Sequence, residues 1–110
     1  MRRIALSAVV LVVACCGLVW AGSMQAKREA AALFKDKCAT CHGKDGRAKT
    51  FKAKFNGARN LTDAAWQESV TNERLYNSIT NGRGKMPAFG KKFSDAEIES
   101  LVAFVRTLKK

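Results

Sequence analysis

The stretch that decides the fold is Cys38-Ala39-Thr40-Cys41-His42, in a chain of 110 residues. Two thiols three positions apart can lie on one helical turn and reach two groups on one edge of a flat ring. A histidine directly after the second cysteine then projects beneath that ring, where its imidazole can bind a metal. This spacing is the attachment signature of c-type haem, so it predicts one haem c attached through Cys38 and Cys41, with His42 as the proximal iron ligand.

Two other chemistries use cysteine and histidine at short spacing. A structural zinc site takes four ligands, whereas Cys38, Cys41 and His42 are the only Cys and His residues after residue 26. A thioredoxin-like thiol pair belongs in a βαβ unit, and the same part of the sequence has no strand-like run of β-branched residues. Both alternatives fit less well than haem attachment. A site built from several histidines is excluded, because the chain has one.

The N-terminal segment differs from the rest of the chain. Two arginines precede an apolar run over residues 4–21, and small residues follow it. This order predicts a secretory signal peptide over 1–26, which leaves 27–110 as the functional domain. Two alternatives stay open. The apolar run is near the minimum length of roughly 17 residues for an uncleaved membrane anchor, and the segment that ends at Cys15 resembles a site of lipid attachment.

A second iron ligand can be found by elimination. The chain has one histidine, and Met86 is the only methionine after residue 26. It lies in Gly82-Arg83-Gly84-Lys85-Met86-Pro87-Ala88-Phe89-Gly90, where glycines permit a tight loop and Pro87 stiffens it. A lone methionine is often a core residue. The loop and its position after the histidine nevertheless favour a thioether ligand, so His42 and Met86 are the predicted axial pair.

With these residues in place, the chain resembles the small bacterial class I cytochromes c, a monohaem family with histidine and methionine as axial ligands. The similarity covers residues 30–108, and it rests on these motifs: Leu33-Phe34, Cys38–His42, Asn60-Leu61-Thr62, Asn81-Gly82, Met86-Pro87-Ala88-Phe89 and the last amphipathic helix. The resemblance implies an all-α fold, in which three to five helices wrap around one covalently attached haem and the N- and C-terminal helices cross. It also implies the role of a one-electron carrier.

Two positions depart from the family pattern. Ala30 stands where the family often has glycine, eight residues before the first motif cysteine, and alanine is small enough to keep a close helix contact. Arg59 stands where the family often has proline, two residues before Leu61. There the resemblance implies a backbone carbonyl that accepts the N–H of the proximal histidine. We expect Arg59 to supply this carbonyl without the stiffness of proline.

Local patterns also predict a helical chain. Residues 27–37 are good helix formers, whereas 43–59 is basic, lacks apolar periodicity and is predicted to be loop. Thr62 is expected to cap a short helix over 63–66, and Thr71 is expected to cap the next helix.

The last helix has the clearest pattern. Ser94-Asp95-Ala96-Glu97 is a capping box, and apolar residues follow at helical spacing: Ile98, Leu101, Val102, Val105 and Leu108. Since the resemblance implies crossing helices, Phe34 and Phe104 are expected to meet near Ala30. The residues expected to line the haem are Leu61, Leu75, Ile79, Phe89 and Leu101, while Trp66 and Phe93 fit either this wall or the core.

The chain is strongly basic, with 20 Lys and Arg against 9 Asp and Glu and a net charge of +11. Basic residues cluster after the cysteine motif and beside Met86: Lys44, Arg47, Lys49, Lys52, Lys54, Arg59, Lys85, Lys91 and Lys92. Such runs are often a solvated face, but they also suit docking onto acidic redox proteins, such as an oxidase, reductase or dehydrogenase. An anionic membrane surface is a secondary contact. Nucleic acid is not expected, and the domain is expected to be monomeric.

Together these features predict an exported electron carrier rather than an enzyme. Iron held by His42 and Met86 has no open position for a substrate, so transfer is outer-sphere. The expected location is the periplasm or the outer face of the cytoplasmic membrane, or the thylakoid lumen in a photosynthetic source. Two alternatives stay open: a haem subunit of a larger membrane-bound or periplasmic oxidoreductase complex, and a haem domain that senses a small gas when Met86 dissociates.

Overall fold

The computed structural model describes residues 24–110. The predictions of a signal peptide over 1–26, of a membrane anchor and of a lipid at Cys15 concern residues that lie, apart from 24–26, outside the described part. Within the described part, no helix is long and apolar enough to cross a membrane.

A continuous helical stretch leads into the cysteine motif. It has three parts in chain order: helix α1 at residues 24–33, a π-helical turn at Phe34–Cys38 and helix α2 at Ala39–His42. In the π-helical turn the Ala39 N–H donates to the Phe34 carbonyl, five residues back, so this turn holds one more residue than an α-helical turn. The expected helix over 27–37 is confirmed, with a π-helical turn that the sequence did not predict. The stretch ends at Gly43, whose φ of 81° lies in the region that glycine favours.

The prediction of loop over residues 43–59 is wrong in part, because Phe51–Asn56 form helix α3. Thr50 caps this helix, since its side-chain oxygen accepts the Ala53 N–H at 3.1 Å. Gly57 ends it in a left-handed conformation with a φ of 63°. Ala53 is its one buried residue, and its two phenylalanines are exposed. The helix therefore has no apolar face toward the core and no periodicity that would reveal it.

Two helices follow: α4 at Ala64–Ser69 and α5 at Asn72–Asn81. Thr71 caps α5, as expected, by accepting the N–H of the third helical residue at 3.1 Å. The prediction that Thr62 caps α4 is wrong, because Asp63 takes this place and accepts the Trp66 N–H at 2.9 Å. A carboxylate is the better partner for the positive end of a helix, and the Thr62 hydroxyl donates to Asn60 Oδ1 at 2.8 Å instead.

The last helix, α6 at Asp95–Thr107, supplies much of the core. Its capping box is confirmed: Ser94 Oγ accepts the Glu97 N–H, and Glu97 Oε1 accepts the Ser94 N–H, each at 3.1 Å. Its buried residues are among those expected from helical spacing: Ile98, Leu101, Val102 and Val105. The ring centroids of Phe34 and Phe104 lie 5.0 Å apart, so the first helical stretch packs against α6 as expected.

A buried polar network joins α6 to the segment that carries α4. The Gln67 side chain is buried, and its Nε2 donates to the carbonyls of Leu61 and Val105 at 2.8 and 2.9 Å. Arg106 of α6 donates in turn to Gln67 Oε1 at 2.8 Å and to the Val70 carbonyl at 2.6 Å. Because these groups satisfy one another, they fix the chain from Leu61 to Val70 against α6 without an unpaired buried amide.

Candidate haem site

A cavity of about 440 Å³ lies between the helices and brings together the four residues predicted to hold a haem: Cys38, Cys41, His42 and Met86. Its apolar lining includes the five residues expected there: Leu61, Leu75, Ile79, Phe89 and Leu101. Trp66 lines the cavity as well, whereas Phe93 belongs to the core and stacks on the ring of Phe89 at 5.2 Å between centroids. The cavity thus combines metal-binding side chains with apolar walls.

The imidazole of His42 is held by a hydrogen bond to the backbone. His42 Nδ1 lies 2.9 Å from the carbonyl oxygen of Arg59. A carbonyl can only accept, so Nδ1 carries the proton and Nε2 keeps its lone pair for a metal. Burial lowers the pKa of His42 below its usual value, although the bond to the Arg59 carbonyl acts in the opposite direction. The structure therefore favours the neutral tautomer that an iron ligand requires.

The two motif cysteines are half-buried thiols. Burial and, second, the neighbouring Cys41 raise the pKa of the Cys38 thiol to about 11. The attacking cysteine of a dithiol redox pair needs a lowered pKa, so this environment disfavours the thiol-redox alternative. The zinc alternative is disfavoured as well, because a structural zinc takes four ligands and, within residues 24–110, no group of three or more His, Cys, Asp or Glu side chains is arranged so that it could hold a metal ion.

Hydrogen bonds from backbone and side chains hold the cysteine motif against the segment that follows it. Thr50 Oγ1 donates to the Cys41 carbonyl at 3.0 Å, and the Ala48 N–H donates to the His42 carbonyl at 2.7 Å. The side-chain nitrogen of Asn56, at the end of α3, lies 3.7 Å from Cys41 Sγ. Thr50 and Asn56 were not among the predicted site residues, yet they link α2 to α3 beside the cavity.

Met86 lies on a tight loop between α5 and α6. Arg83 and Met86 exchange two backbone hydrogen bonds, at 3.1 and 2.9 Å. The loop is fastened to the end of α5, because the Phe89 N–H donates to the Ile79 carbonyl at 2.9 Å. Gly82 is needed at the start of the loop: its φ is 73°, and a Cβ there would lie 2.6 Å from the Met86 carbonyl oxygen. These backbone constraints set where the half-buried thioether can lie.

Cationic side chains complete the lining of the cavity: Lys37, Arg59, Arg74, Arg83 and Lys85. The guanidinium of Arg59 lies 5.7 Å from the centre of the Trp66 ring. Lys85 Nζ donates to the Phe55 carbonyl at 2.8 Å and so links the Met86 loop to α3. Haem is a flat apolar ring with two anionic propionates. Apolar walls, several cations, two thiols and a neutral imidazole therefore fit this group.

Comparison with known proteins agrees with this geometry. Residues 25–105 match the protein family described as cytochrome c oxidase, cbb3-type, subunit III. The chain belongs to this family of c-type cytochromes. As a c-type cytochrome it carries covalently attached haem c, and the resemblance seen in its motifs is confirmed.

Curated relatives of this c-type cytochrome include cbb3-type oxidase subunits and cytochromes c6. It is 38% identical over 88 residues to the cbb3-type cytochrome c oxidase subunit FixP of Azorhizobium caulinodans, a match that covers 79% of this chain and 29% of FixP. The chain thus spans less than a third of the length of that relative. Cytochrome c6 of Leptolyngbya boryana is 35% identical over 75 residues, which cover 66% of this chain and 81% of the relative.

A solved structure resembles the cytochrome across most of the described residues. The KustC0563 c-type cytochrome superposes with a TM-score of 0.69 at 35% sequence identity, over 74% of this chain and 98% of that chain. The all-α cytochrome c fold expected from the sequence is therefore confirmed. The electron-transfer role is confirmed for this cytochrome at the level of its family.

Proposed function

We propose that this cytochrome is an exported one-electron carrier in which Cys38 and Cys41 attach the haem and His42 and Met86 ligate its iron. The observation that carries the proposal is the convergence of all four side chains on one cavity. When bound, the haem supplies a one-electron couple between ferrous and ferric iron.

The chain's own residues set the properties of that couple. Nδ1 of His42 carries the proton and donates it in a hydrogen bond to the Arg59 carbonyl, which fixes the ring and leaves Nε2 as the ligating atom. The thioether of Met86 favours ferrous iron more than a second imidazole would, and this raises the potential. The apolar wall excludes water and adds to the same effect. Because His42 and Met86 would both bind the iron, no position would be left for a substrate, and the domain by itself is proposed to transfer electrons only.

The proposal is tested on purified holoprotein. We expect the haem to remain with the polypeptide after extraction with acidified acetone, because two thioether bonds hold it. A pyridine haemochrome spectrum of the wild type should show saturated vinyl groups, and Cys41→Ser should shift it toward one remaining vinyl group. Thr40→Ala is the matched control, since Thr40 is exposed between the two cysteines. Haem that passes entirely into the organic phase would overturn the proposal.

The partner is proposed to be an acidic redox protein outside the cytoplasm, in the periplasm, at the outer face of the membrane or in the thylakoid lumen. The chain carries a net charge of +11, and lysines or arginines line the cavity beside His42 and Met86. Such a field steers an acidic protein toward the cavity edge and raises the association rate.

Ionic strength tests the steering. The Debye length shortens from ~30 Å at 0.01 M salt to ~10 Å at 0.1 M, so the bimolecular rate with an acidic protein should fall clearly across that range. Lys85→Glu should slow association more than Lys110→Glu at the end of the chain. Equal losses at both sites, or a rate independent of salt, would contradict steering at the cavity edge.

A second candidate function is that of a haem domain in an oxidase complex. The match of residues 25–105 to the cbb3-type subunit III family favours it. In that case the cytochrome should co-migrate with an oxidase on native gels of membranes from the source organism, and oxidase turnover should require it. A free carrier should appear in the soluble exported fraction and be exchangeable between partners.

A further inference from the structure

Two adjacent phenylalanines on α3 face solvent. Phe51 is 77% exposed and Phe55 is 65% exposed. Their ring centroids lie 4.9 Å apart with the rings edge to face, so they present one apolar surface. Ala53 is the one buried residue of α3, so the two phenylalanine rings contribute little to the core. Large apolar side chains that sit together on a surface mark an interaction site more often than isolated ones do.

The charge around these rings has one sign. Between residues 46 and 62 the sequence has no Asp or Glu, and it has five basic residues: Arg47, Lys49, Lys52, Lys54 and Arg59. Lys52 and Lys54 lie on α3 itself and are exposed. An apolar centre with a basic rim complements a partner surface that has apolar residues surrounded by carboxylates.

The same helix borders the haem cavity. Asn56, the residue after Phe55, lines the cavity, and its side-chain nitrogen lies 3.7 Å from Cys41 Sγ. The Phe55 carbonyl accepts the hydrogen bond from Lys85, whose loop carries Met86. A protein seated on the two rings would therefore lie against the edge of the cavity that holds the attachment cysteine.

We propose that Phe51 and Phe55, with Lys52 and Lys54, form the docking surface for an acidic redox protein; this α3 patch extends the proposed function and rests on it. A second copy of the chain would bring the same positive charge to the surface and be repelled. An anionic membrane would cover the edge beside Cys41 and keep a redox protein away from it. An acidic protein satisfies both the charge and the position of the patch.

The experiment compares two forms of one electron donor. Oxidised holoprotein is mixed with reduced flavodoxin, an acidic protein that carries a flavin, or with photoreduced lumiflavin, the same ring system without a protein. In each encounter one electron leaves the reduced flavin and converts ferric to ferrous iron, which is followed by stopped-flow absorbance. The variants are Phe51→Ser/Phe55→Ser, Lys52→Gln/Lys54→Gln and, as a control on α1 and the adjoining turn, Lys27→Gln/Lys35→Gln.

The phenylalanines and the lysines should affect the flavodoxin rate constant at different salt concentrations. We expect Phe51→Ser/Phe55→Ser to lower the flavodoxin rate constant about tenfold, as for residues at the centre of an interface, even in about 1 M salt, where the Debye length is ~3 Å. Lys52→Gln/Lys54→Gln should lower it at low salt only, and Lys27→Gln/Lys35→Gln should have a smaller effect. Lumiflavin should reduce all four proteins at the same rate, because the cavity and its ligands are unchanged.

Three outcomes would overturn the proposal. One is an unchanged flavodoxin rate in the phenylalanine variant. Another is loss of sedimentation with phosphatidylglycerol vesicles in that variant while the flavodoxin rate is kept, which would assign the patch to a membrane. The third is a concentration-dependent dimer that the variant abolishes. If lumiflavin fails to reduce the wild type, or the spectrum lacks the haem c signature, the proposed function fails instead.

Discussion

The His42 side and the Met86 side of the haem cavity differ in how their side chains are held in place. His42 is the last residue of helix α2, and its ring is oriented by a hydrogen bond of 2.9 Å to the Arg59 carbonyl. Met86 lies on a loop whose backbone is fixed by hydrogen bonds to Arg83, while its side chain is held by packing. The imidazole is thus oriented by a directional bond and the thioether by the shape of the loop. If both residues ligate the iron as proposed, this difference predicts that Met86 dissociates before His42 does under denaturing conditions.

The largest expected effect comes from removing the His42 imidazole, which is the more rigidly held of the two side chains. His42→Ala should lower the yield of folded holoprotein at least about tenfold, because even loss of an outer contact to a metal ligand costs 10- to 100-fold in affinity. Haem staining of a denaturing gel and absorbance of the soluble fraction would measure attachment and folding separately. Thr40→Ala, within the same motif, should have normal yield. A well-folded His42→Ala holoprotein would contradict the assignment of this side.

Removing the sulfur on the loop side should leave the protein folded. Met86→Leu keeps the side-chain volume, so the yield should stay near that of the wild type. The weak sulfur-to-iron band at the red end of the visible spectrum should vanish, and cyanide should bind readily. The midpoint potential should fall by on the order of a hundred millivolts, within the roughly 0.8 V range that axial ligands span. A band that persists in Met86→Leu would refute the ligand assignment.

The loop geometry can be tested without touching the ligand. Gly82 has φ 73° and ψ 172°, a conformation available almost only to glycine. Because a Cβ would also meet the Met86 carbonyl at 2.6 Å, Gly82→Ala should lower the free energy of unfolding by about 2–4 kcal/mol. Gly84→Ala is the control. Gly84 has a φ of 56°, but a Cβ added there would meet no atom within 4 Å, so this variant should lower the free energy of unfolding by only about 1 kcal/mol. Denaturant titration of the two holoproteins would measure the difference.

The smallest expected effect comes from the hydrogen bond that links the Met86 loop to α3. Lys85→Met removes the hydrogen bond of 2.8 Å to the Phe55 carbonyl while keeping most of the aliphatic side chain. We expect cyanide to bind about two- to tenfold faster, the factor that corresponds to a net hydrogen bond of 0.5–1.5 kcal/mol. Lys91→Met changes the charge equally on an exposed residue nearby and should leave the rate unchanged. Equal acceleration by both variants would indicate an effect of charge alone.

The sequence was most informative where chemistry or burial imposes a pattern. The spacing of Cys38, Cys41 and His42 led to the cavity, and the buried face of α6 followed from helical periodicity. Helix α3 escaped prediction because its aromatic residues face solvent. The signals that would have revealed it were Thr50 as a cap and Gly57 as a terminator.

Long-range polar contacts were also beyond reach of the sequence. Gln67 and Arg106 are 39 positions apart, yet the hydrogen bond between them closes a buried network. Arg74 and Arg83 line the cavity, but nothing in their local sequence distinguishes them from other exposed arginines. Such contacts depend on tertiary packing, which a single sequence without periodic signal does not reveal.

The π-helical turn at Phe34–Cys38 has a consequence for how chains of this family can change in length. An α-helix advances by about 100° per residue, so the extra residue in this turn sets the angular phase between the face that carries Phe34 and the face that carries the cysteines. Deleting one residue there would let the turn relax to an ordinary α-helix and keep both faces aligned. Deleting one residue of α1 between Ala30 and the π-helical turn would instead rotate Ala30 by about 100° relative to the motif and expose it. The turn at Phe34–Cys38 should therefore tolerate the loss of one residue better than α1 does.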